Sequence, residues 1–310
     1  MNKMFRSEKS CFSKVLFLCC LLASMIVLGS VSALAKPLQI VTTFSILEDF
    51  IGQVGGDRVE VHSLIPRGAD PHSWESSPRE ARLVAQADLV VVNGEGFDDW
   101  MIGLVENAAQ PGMKVLFTSQ GLSLLERTHS HHSHDHNHGG DPHLWLSVPN
   151  AISYVESITQ ALIDLSPQNA SYFKERSAHY IHQLKQLDQK MLDELGQIPE
   201  ENRVIVTYHN AFSYLAERYG FEVAEFLVEN PEAEPNPRDL ARLVALLRKQ
   251  ERPVVFMEPQ LSSGSRYVQT LAKEVGAMIY SLYSDSLSVD VPTYVEMMEY
   301  NMRTLVEALQ

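Results

Sequence analysis

Cysteine is scarce in this chain. Its 310 residues include three cysteines, and all of them lie between Cys11 and Cys20. If residues 1–35 are removed as a leader, the remaining chain has no thiol and no disulfide. Thiolate metal sites and a disulfide framework are then excluded, and a hydrophobic core must stabilise the fold. A remainder of about 275 residues suits two domains of ordinary size.

Basic residues are also in short supply. The chain has 25 Lys and Arg against 39 Asp and Glu, and residues 1–35 hold four of the basic residues and one of the acidic ones. This leaves 21 basic and 38 acidic residues, a formal charge of −17, in the rest of the chain. We therefore expect no nucleic-acid partner. An acidic surface raises the local concentration of cations, although solubility alone explains most of this charge.

Residues 1–35 have the layout of a secretory signal peptide. Four basic residues precede the apolar run Val15–Val31, and an Ala-Leu-Ala sequence ends at Ala35. We predict cleavage after Ala35 and a location in the periplasm. The alternative is a membrane anchor, because about 17 to 20 apolar residues are near the minimum for a spanning helix. A lipid anchor is disfavoured, since neither Cys19 nor Cys20 follows a small residue.

Short apolar strands alternate with helical patterns in two halves of the chain. The predicted strands are Gln39–Thr43, Val59–Ser63, Leu89–Asn93, Lys114–Phe117, Arg203–Tyr208, Glu222–Phe226, Val254–Met257 and Met278–Ser281. Such alternation predicts an α/β fold of two lobes with mostly parallel sheets flanked by helices. Ligands of such sheets bind beyond the carboxyl ends of the strands.

The predicted N-terminal lobe spans residues 36–166 and the C-terminal lobe spans residues 197–310. Residues 167–196 between them are strongly helical, with apolar side chains near helical spacing from Gln168 to Leu195. A helix over that stretch would be about 42 Å long. We therefore expect one long rigid helix to join the lobes.

A histidine-rich segment lies within the N-terminal lobe at residues 128–140. It holds six of the 12 histidines, is hydrophilic and ends in two glycines. This composition predicts a loop without regular structure. Its histidines, from His129 to His138, favour weak and exchangeable metal binding, with an inert linker as the alternative.

Three other histidines and one aspartate are candidate metal ligands. His72, His143 and His209 lie at or just past predicted strand ends, and Asp285 follows the last strand in a comparable place. His72 and His143 each follow Asp-Pro, where proline fixes the backbone before the imidazole. Imidazole and carboxylate groups are ligands that zinc prefers. Taken singly, each histidine could be a structural hydrogen-bonded residue, and the aspartate a helix cap.

The motifs around these residues resemble those of the zinc/manganese solute-binding family of ABC importers. The resemblance covers roughly Gln39 to Leu309. The matching phrases are Gly-Ala-Asp-Pro-His-Ser-Trp-Glu (68–75), Asp-Pro-His-Leu-Trp-Leu-Ser (141–147), Tyr-His-Asn-Ala-Phe (208–212), Phe-Met-Glu-Pro-Gln (256–260) and Tyr-Ser-Asp-Ser-Leu (283–287). The histidine-rich segment resembles that of the zinc-binding subgroup. The family's fold has two lobes joined by one rigid helix.

This resemblance implies a metal site between the lobes. Carried over by motif, its ligands would be His72 and His143 from one lobe and His209 and Asp285 from the other. Manganese-binding members tend to have a glutamate at the third position, so His209 favours zinc, although affinity alone does not exclude copper or nickel. Water or Glu258 remains the alternative fourth ligand.

The implied function is that of a periplasmic protein that captures zinc as cargo and delivers it to the permease of an ABC importer. A periplasmic metallochaperone is a further candidate partner, and we expect a monomer. A zinc hydrolase is the alternative from another class. Four protein ligands would leave no open position for water, and no His-Glu-x-x-His motif occurs, so we expect no enzyme. A surface adhesin or a metal buffer of the same fold stays open.

Three acidic residues are candidates for holding the rings of the ligand histidines. They are Asp70, Asp141 and Glu258, because a ligand imidazole usually donates its other N–H to a carboxylate or carbonyl. Each could instead form a turn or a helix terminus. Gly94–Gly96 has too few glycines for a phosphate-binding fingerprint and is predicted to be a tight turn. No metal-binding role is assigned to His62, His179 or His182.

Overall fold

Two parallel sheets of four strands each organise the fold. The structure is a computed structural model that describes residues 36–126, 140–228, 231, 233–261 and 265–310. The predicted signal peptide, and the histidine-rich segment except for Gly140, lie outside the described residues.

The two sheets have the same strand order. The first is ordered β2-β1-β3-β4 and the second β6-β5-β7-β8, and every pairing is parallel. The strands are β1 (Leu38–Thr42), β2 (Val59–Ser63), β3 (Leu89–Val92), β4 (Lys114–Phe117), β5 (Val204–His209), β6 (Glu222–Val228), β7 (Val254–Met257) and β8 (Met278–Ser281). The predicted α/β fold is confirmed, with strand ends that differ by two residues at most.

Nine α-helices of the described residues connect and flank these strands. They are α1 (Ser45–Gly55), α2 (Pro78–Val84), α3 (Asp99–Ala108), α4 (Val148–Leu165), α5 (Ala170–Leu195), α6 (Ser213–Tyr219), α7 (Pro237–Leu247), α8 (Ser265–Val275) and α9 (Tyr294–Leu309). In each sheet the second strand in the chain lies on one side of the first, and the third strand lies on its other side. A crevice therefore opens at the carboxyl ends of β1 and β3, and of β5 and β7.

Side-chain caps fix where two of these helices begin. Ser77 and Glu80 form a capping box at α2, and Thr293 and Glu296 form another at α9. In each box the hydroxyl and the carboxylate satisfy backbone N–H groups that have no partner inside the helix. The segments before α2 and α9 therefore end at defined points. These segments contain the predicted ligands His72 and Asp285.

The long helix α5 joins the two halves of the chain. Its 26 residues extend about 39 Å, and it begins two residues later than predicted because Pro167–Asn169 form a short 3-10 helix. One face is buried, including Phe173, Leu184 and Leu195. It contacts α1 and α4 from the first half and α6 and α9 from the second. The prediction of one long helix between the sheets is confirmed.

The main hydrophobic core extends across both halves. Phe50 on α1 packs against Tyr154 on α4 at 6.5 Å and against Tyr294 on α9 at 4.9 Å between ring centroids. Smaller apolar clusters form around Val90 on β3 and Val255 on β7. Pro37–Gln310 accordingly forms one compact unit. The lobe boundaries at residues 166 and 197 stay a prediction.

No helix in the described part of the chain combines the length and the apolar character needed to cross a membrane.

Candidate metal centre

Four side chains that are far apart in sequence converge on one point. His72, His143, His209 and Asp285 each direct a donor atom there, and these atoms all lie within 4.8 Å of one another. His143, His209 and Asp285 are buried, and the side chain of His72 is 11% exposed. The structure thus brings together all four residues that the sequence motifs single out.

Four of the distances between donor atoms are short and similar. The Nε2 atoms of His143 and His209 are 3.4 Å apart. The carboxylate oxygens of Asp285 lie 3.5 Å from Nε2 of His72 and 3.6 Å from Nε2 of His143 and of His209. This spacing is too wide for most of these pairs to hydrogen-bond, and both Asp285 oxygens are buried without a hydrogen-bond partner in the described part of the chain. Buried carboxylates without partners are costly unless a cation compensates them.

Parallel-strand topology brings these residues to the site. His209 is the last residue of β5, and Asp285 lies in the loop that follows β8. His72 lies in the segment between β2 and α2, and His143 immediately precedes a short 3-10 helix at the start of α4. His209 and Asp285 thus lie at the carboxyl ends of strands, as ligands of α/β sheets generally do. His72 and His143 come from segments that connect a strand to the next helix.

The two Asp-Pro-His sequences form the same kind of turn. Asp141 Oδ1 accepts the backbone N–H of His143 at 3.0 Å, and Asp70 Oδ1 accepts the backbone N–H of His72 at 3.0 Å. An aspartate that accepts from the residue two positions ahead closes an Asx turn, and the intervening proline stiffens it. The repeated motif therefore fixes where each histidine backbone lies.

Asp141 also holds the ring of His143. Its Oδ1 lies 2.8 Å from Nδ1 of His143, which leaves Nε2 to face the centre. Burial raises the pKa of Asp141, but the charge and hydrogen bonds of His143 outweigh it and lower the pKa overall. The described contacts of Asp70 reach the backbone of His72 and the hydroxyl of Ser73. Of the three acidic candidates, Asp141 and Glu258 contact the imidazole ring of a candidate ligand, whereas Asp70 contacts the backbone N–H of His72.

Glu258 holds the ring of His209 in the interior. Its Oε1 lies 2.6 Å from Nδ1 of His209, and both side chains are fully buried. Burial lowers the pKa of His209, but the carboxylates of Glu258 and Asp285 outweigh it and raise the pKa. Burial raises the pKa of Asp285, but the three histidines outweigh it and bring the pKa well below its usual value. The centre is therefore arranged to hold positive charge.

Aromatic rings line one side of the centre. The ring of Phe97 lies 5.1 Å from that of His72 and 5.9 Å from that of His143, and Trp145 lies 5.5 Å from His143. Motif reasoning about ligands did not identify Phe97 or Trp145. The signal available was only that Trp145 lies two residues after His143.

The Gly94–Gly96 sequence is a tight turn, as predicted. All three residues have positive φ, which is 94° at Gly94, 56° at Glu95 and 81° at Gly96. Asp98, fully buried, accepts the backbone N–H of Gly94 at 2.9 Å and that of Asn93 at 2.7 Å. Burial raises the pKa of Asp98 to about 6. The turn places Phe97 against the site.

The remaining described histidines lie elsewhere. His62 is on β2 beside Glu60, with 3.7 Å between Nε2 and Oε1. His179 and His182 are exposed on α5. The group of converging donors in the described residues includes none of them.

Known proteins resemble the chain along nearly its whole length. The model of the family described as "ZnuA: Zinc-uptake complex component A periplasmic" matches residues 40–308. The metal ABC transporter substrate-binding lipoprotein FimA of Streptococcus parasanguinis is 33% identical over 292 residues, covering 91% of this chain and 92% of that protein. The manganese-binding lipoprotein MntA of Halalkalibacterium halodurans is 32% identical over 309 residues, with 97% and 99% covered.

A solved structure has the same fold. The periplasmic metal binding protein of Candidatus Liberibacter asiaticus superposes with a TM-score of 0.78 at 25% identity. The match covers 89% of this chain and 100% of that one. The two-sheet architecture with its long connecting helix is therefore shared with a protein described as metal-binding.

Proposed function

This chain belongs to the ZnuA family, the metal-binding components of ABC importers, and we propose that it captures zinc with His72, His143, His209 and Asp285. The observation that carries the proposal is the convergence of these four donors within 4.8 Å. The zinc is cargo, to be delivered to the permease of an importer. The relatives are transport proteins and not enzymes, which argues against a zinc hydrolase.

The spacing of the donors suits a tetrahedral ion. Four donors at about 2.0–2.1 Å from zinc lie roughly 3.3–3.4 Å from one another in a regular tetrahedron. Four donor separations, between 3.4 and 3.6 Å and measured to one or the other Asp285 oxygen, are close to this value, and all the donor atoms lie within 4.8 Å of one another. We therefore propose that small movements of the side chains seat the ion, with Asp285 in place of water as the fourth ligand.

Manganese is the second candidate cargo, and the names of the relatives favour it. MntA is described as manganese-binding. Against this, manganese prefers oxygen ligands and higher coordination, whereas three of the four donors here are imidazole nitrogens. His209 is the residue that tips the donor set towards nitrogen. We therefore propose zinc as the physiological cargo.

A competition titration tests the choice of metal. The chain from Lys36 to Gln310, stripped of metal by a chelator, is titrated with zinc and with manganese in separate experiments against chromophoric chelators of known affinity. We expect one tight zinc per molecule from these four ligands, bound at least 100-fold more tightly than manganese. Equal or tighter manganese binding would overturn the assignment of zinc as cargo. The more general proposal, that the protein binds a metal for import, would stand.

The cell compartment and partners are part of the same proposal. We propose export through a signal peptide cleaved after Ala35, a periplasmic monomer, and docking to a permease, with a periplasmic metallochaperone as a further candidate partner. The relatives' description as lipoproteins favours a lipid on Cys19 or Cys20 instead. The mass of the N-terminal peptide of the exported protein distinguishes the two. A peptide that begins at Lys36 supports cleavage, and a lipid-modified cysteine contradicts it.

A further inference from the structure

We propose that Glu258 is a positioning residue that aims His209 at the metal and thereby sets the preference for zinc over manganese. The inference rests on the proposed function, and it assigns a role to the Phe-Met-Glu-Pro-Gln sequence (256–260), which contains no donor of the converging group. The role follows from strand register, hydrogen bonding and burial.

Strand register brings Glu258 level with His209. β5 and β7 are parallel neighbours in which Thr207 pairs with Phe256. Two residues further along each strand stand His209, the last residue of β5, and Glu258, the first residue after β7. A carboxylate at one strand end therefore reaches the imidazole at the next, at 2.6 Å between Oε1 and Nδ1. Sheet geometry fixes the pair.

This contact selects one tautomer of His209. A carboxylate accepts hydrogen bonds, so the proton of the neutral imidazole lies on Nδ1 and the lone pair on Nε2. Nε2 faces the centre, 3.4 Å from Nε2 of His143 and 3.6 Å from Asp285. Turning the ring over would break the contact with Glu258 and leave a fully buried carboxylate without its imidazole partner. The ring is therefore oriented before the metal arrives.

The same short segment also reaches the other ligand of the second half. Gln260 Nε2 donates to Ser284 Oγ at 2.9 Å, and Ser284 precedes Asp285. A turn closed by the Leu261 N–H and the Glu258 carbonyl oxygen, 3.1 Å apart, holds the segment in place. Glu258 thus contacts the ring of His209, and Gln260 contacts Ser284, which directly precedes Asp285.

A charged acceptor on Nδ1 makes the imidazole a stronger nitrogen donor. Zinc gains more from a strong nitrogen donor in a fixed geometry than manganese, which prefers oxygen ligands. Loss of Glu258 should therefore weaken zinc binding more than manganese binding. A role confined to folding would leave the ratio of the two affinities unchanged.

The test uses the chain from Lys36 to Gln310 with Glu258→Leu or Glu258→Gln, titrated with zinc and with manganese. In Glu258→Leu, which removes the acceptor, we expect the zinc Kd to rise roughly 10- to 100-fold and the manganese Kd less than fivefold. Glu258→Gln keeps an acceptor and loses the charge, so it should recover part of the zinc affinity. The ¹⁵N spectrum of His209 should show Nδ1 protonated in the wild type and in Glu258→Gln.

Glu225→Leu is the control for the same chemical change, because Glu225 lies on β6 of the same sheet and its described side-chain contact is with Arg242, at 3.2 Å. It should change the zinc-to-manganese affinity ratio less than threefold. An unchanged ratio in a folded Glu258→Leu overturns the inference. If that variant does not fold, Glu258→Gln decides, and a ratio within threefold of the wild type overturns it. A wild-type protein that does not bind zinc more tightly than manganese would instead contradict the proposed function.

Discussion

The indole Nε1 of Trp145 donates a 2.7 Å hydrogen bond to the carbonyl oxygen of Ser284. Trp145 lies two residues after the candidate ligand His143, and Ser284 directly precedes the candidate ligand Asp285. The hydroxyl of Tyr294 in turn donates to the carbonyl oxygen of Trp145 at 2.7 Å. These buried contacts tie a ligand-bearing segment of the first half to one of the second half.

Removing this hydrogen bond should weaken metal binding. Trp145→Phe keeps an aromatic ring but leaves the Ser284 carbonyl oxygen without its indole donor, which costs about 1–3 kcal/mol in a buried site. The loop of Asp285 would then be held less firmly, and we expect the zinc Kd to rise about tenfold. Competition against a chromophoric chelator measures the change.

Trp100→Phe is the control for the same chemical change. The indole nitrogen of Trp100 has no hydrogen-bond partner in the described part of the chain. Its loss should alter the zinc Kd less than twofold. Equal effects of the two substitutions would show that ring size, and not the hydrogen bond to Ser284, supports the site.

Asp285→Ala should weaken zinc binding without abolishing it. The three imidazoles would remain, and water could fill the fourth position as it does in catalytic zinc centres. His143→Ala or His209→Ala should cost more, because each removes a buried nitrogen donor. Zinc raises the melting temperature in proportion to the logarithm of its excess over Kd. That rise should therefore shrink in Asp285→Ala but stay measurable. No change in affinity or in the rise would reduce Asp285 to a turn residue.

Metal release should be sensitive to acid. A ligand imidazole must be neutral, so protons compete with zinc near and below the reference pKa of about 6.5. The carboxylates around His209 raise its pKa above that value, so competition there begins at higher pH. Asp285, with its lowered pKa, stays ionised over the same range. Zinc affinity should thus fall steadily from about pH 7 downwards. Tight binding retained at about pH 4.5 would contradict a site of three histidines.

Deleting residues 128–140 should remove weak sites and keep the tight one. The Asp141 N–H donates to the Leu125 carbonyl oxygen at 2.9 Å, so the segment leaves and rejoins the fold at one place. After the deletion, Leu125, Glu126, Arg127 and Asp141 would be consecutive, and the same hydrogen bond would close a four-residue β-turn. Zinc stoichiometry should drop to one with the tight Kd unchanged. Loss of tight binding would show that the segment supplies primary ligands.

Local patterns in the sequence predicted most of the fold. The strands read as continuous apolar runs because parallel strands are buried on both faces, as in Leu89–Val92. The converging donors were identified from recognisable motifs: His209 ends a strand and Asp285 follows one, and His72 and His143 each follow Asp-Pro. Proline and aspartate made the turns at His72 and His143 visible, since an Asx turn is a local structure.

Contacts between distant residues could not be predicted in this way. The bond from Trp145 to Ser284 joins residues 139 positions apart, and its existence depends on how the halves pack. Glu258 was one of three equivalent acidic candidates, and only the register of β5 and β7 distinguishes it from Asp70. Alternating strands and helices also predicted two lobes without revealing that one core continues through both.

That continuous core bears on how cargo leaves the protein. Phe50, Tyr154 and Tyr294 pack together across the halves, and swinging the sheets apart would expose these large rings to water. Burial of one such side chain contributes about 1.5–3 kcal/mol, so a wide opening is costly. His72 is partly exposed and lies outside regular structure, which makes its segment the cheaper one to displace. A partner that empties the site would then need to displace only this segment, and the two sheets could stay packed.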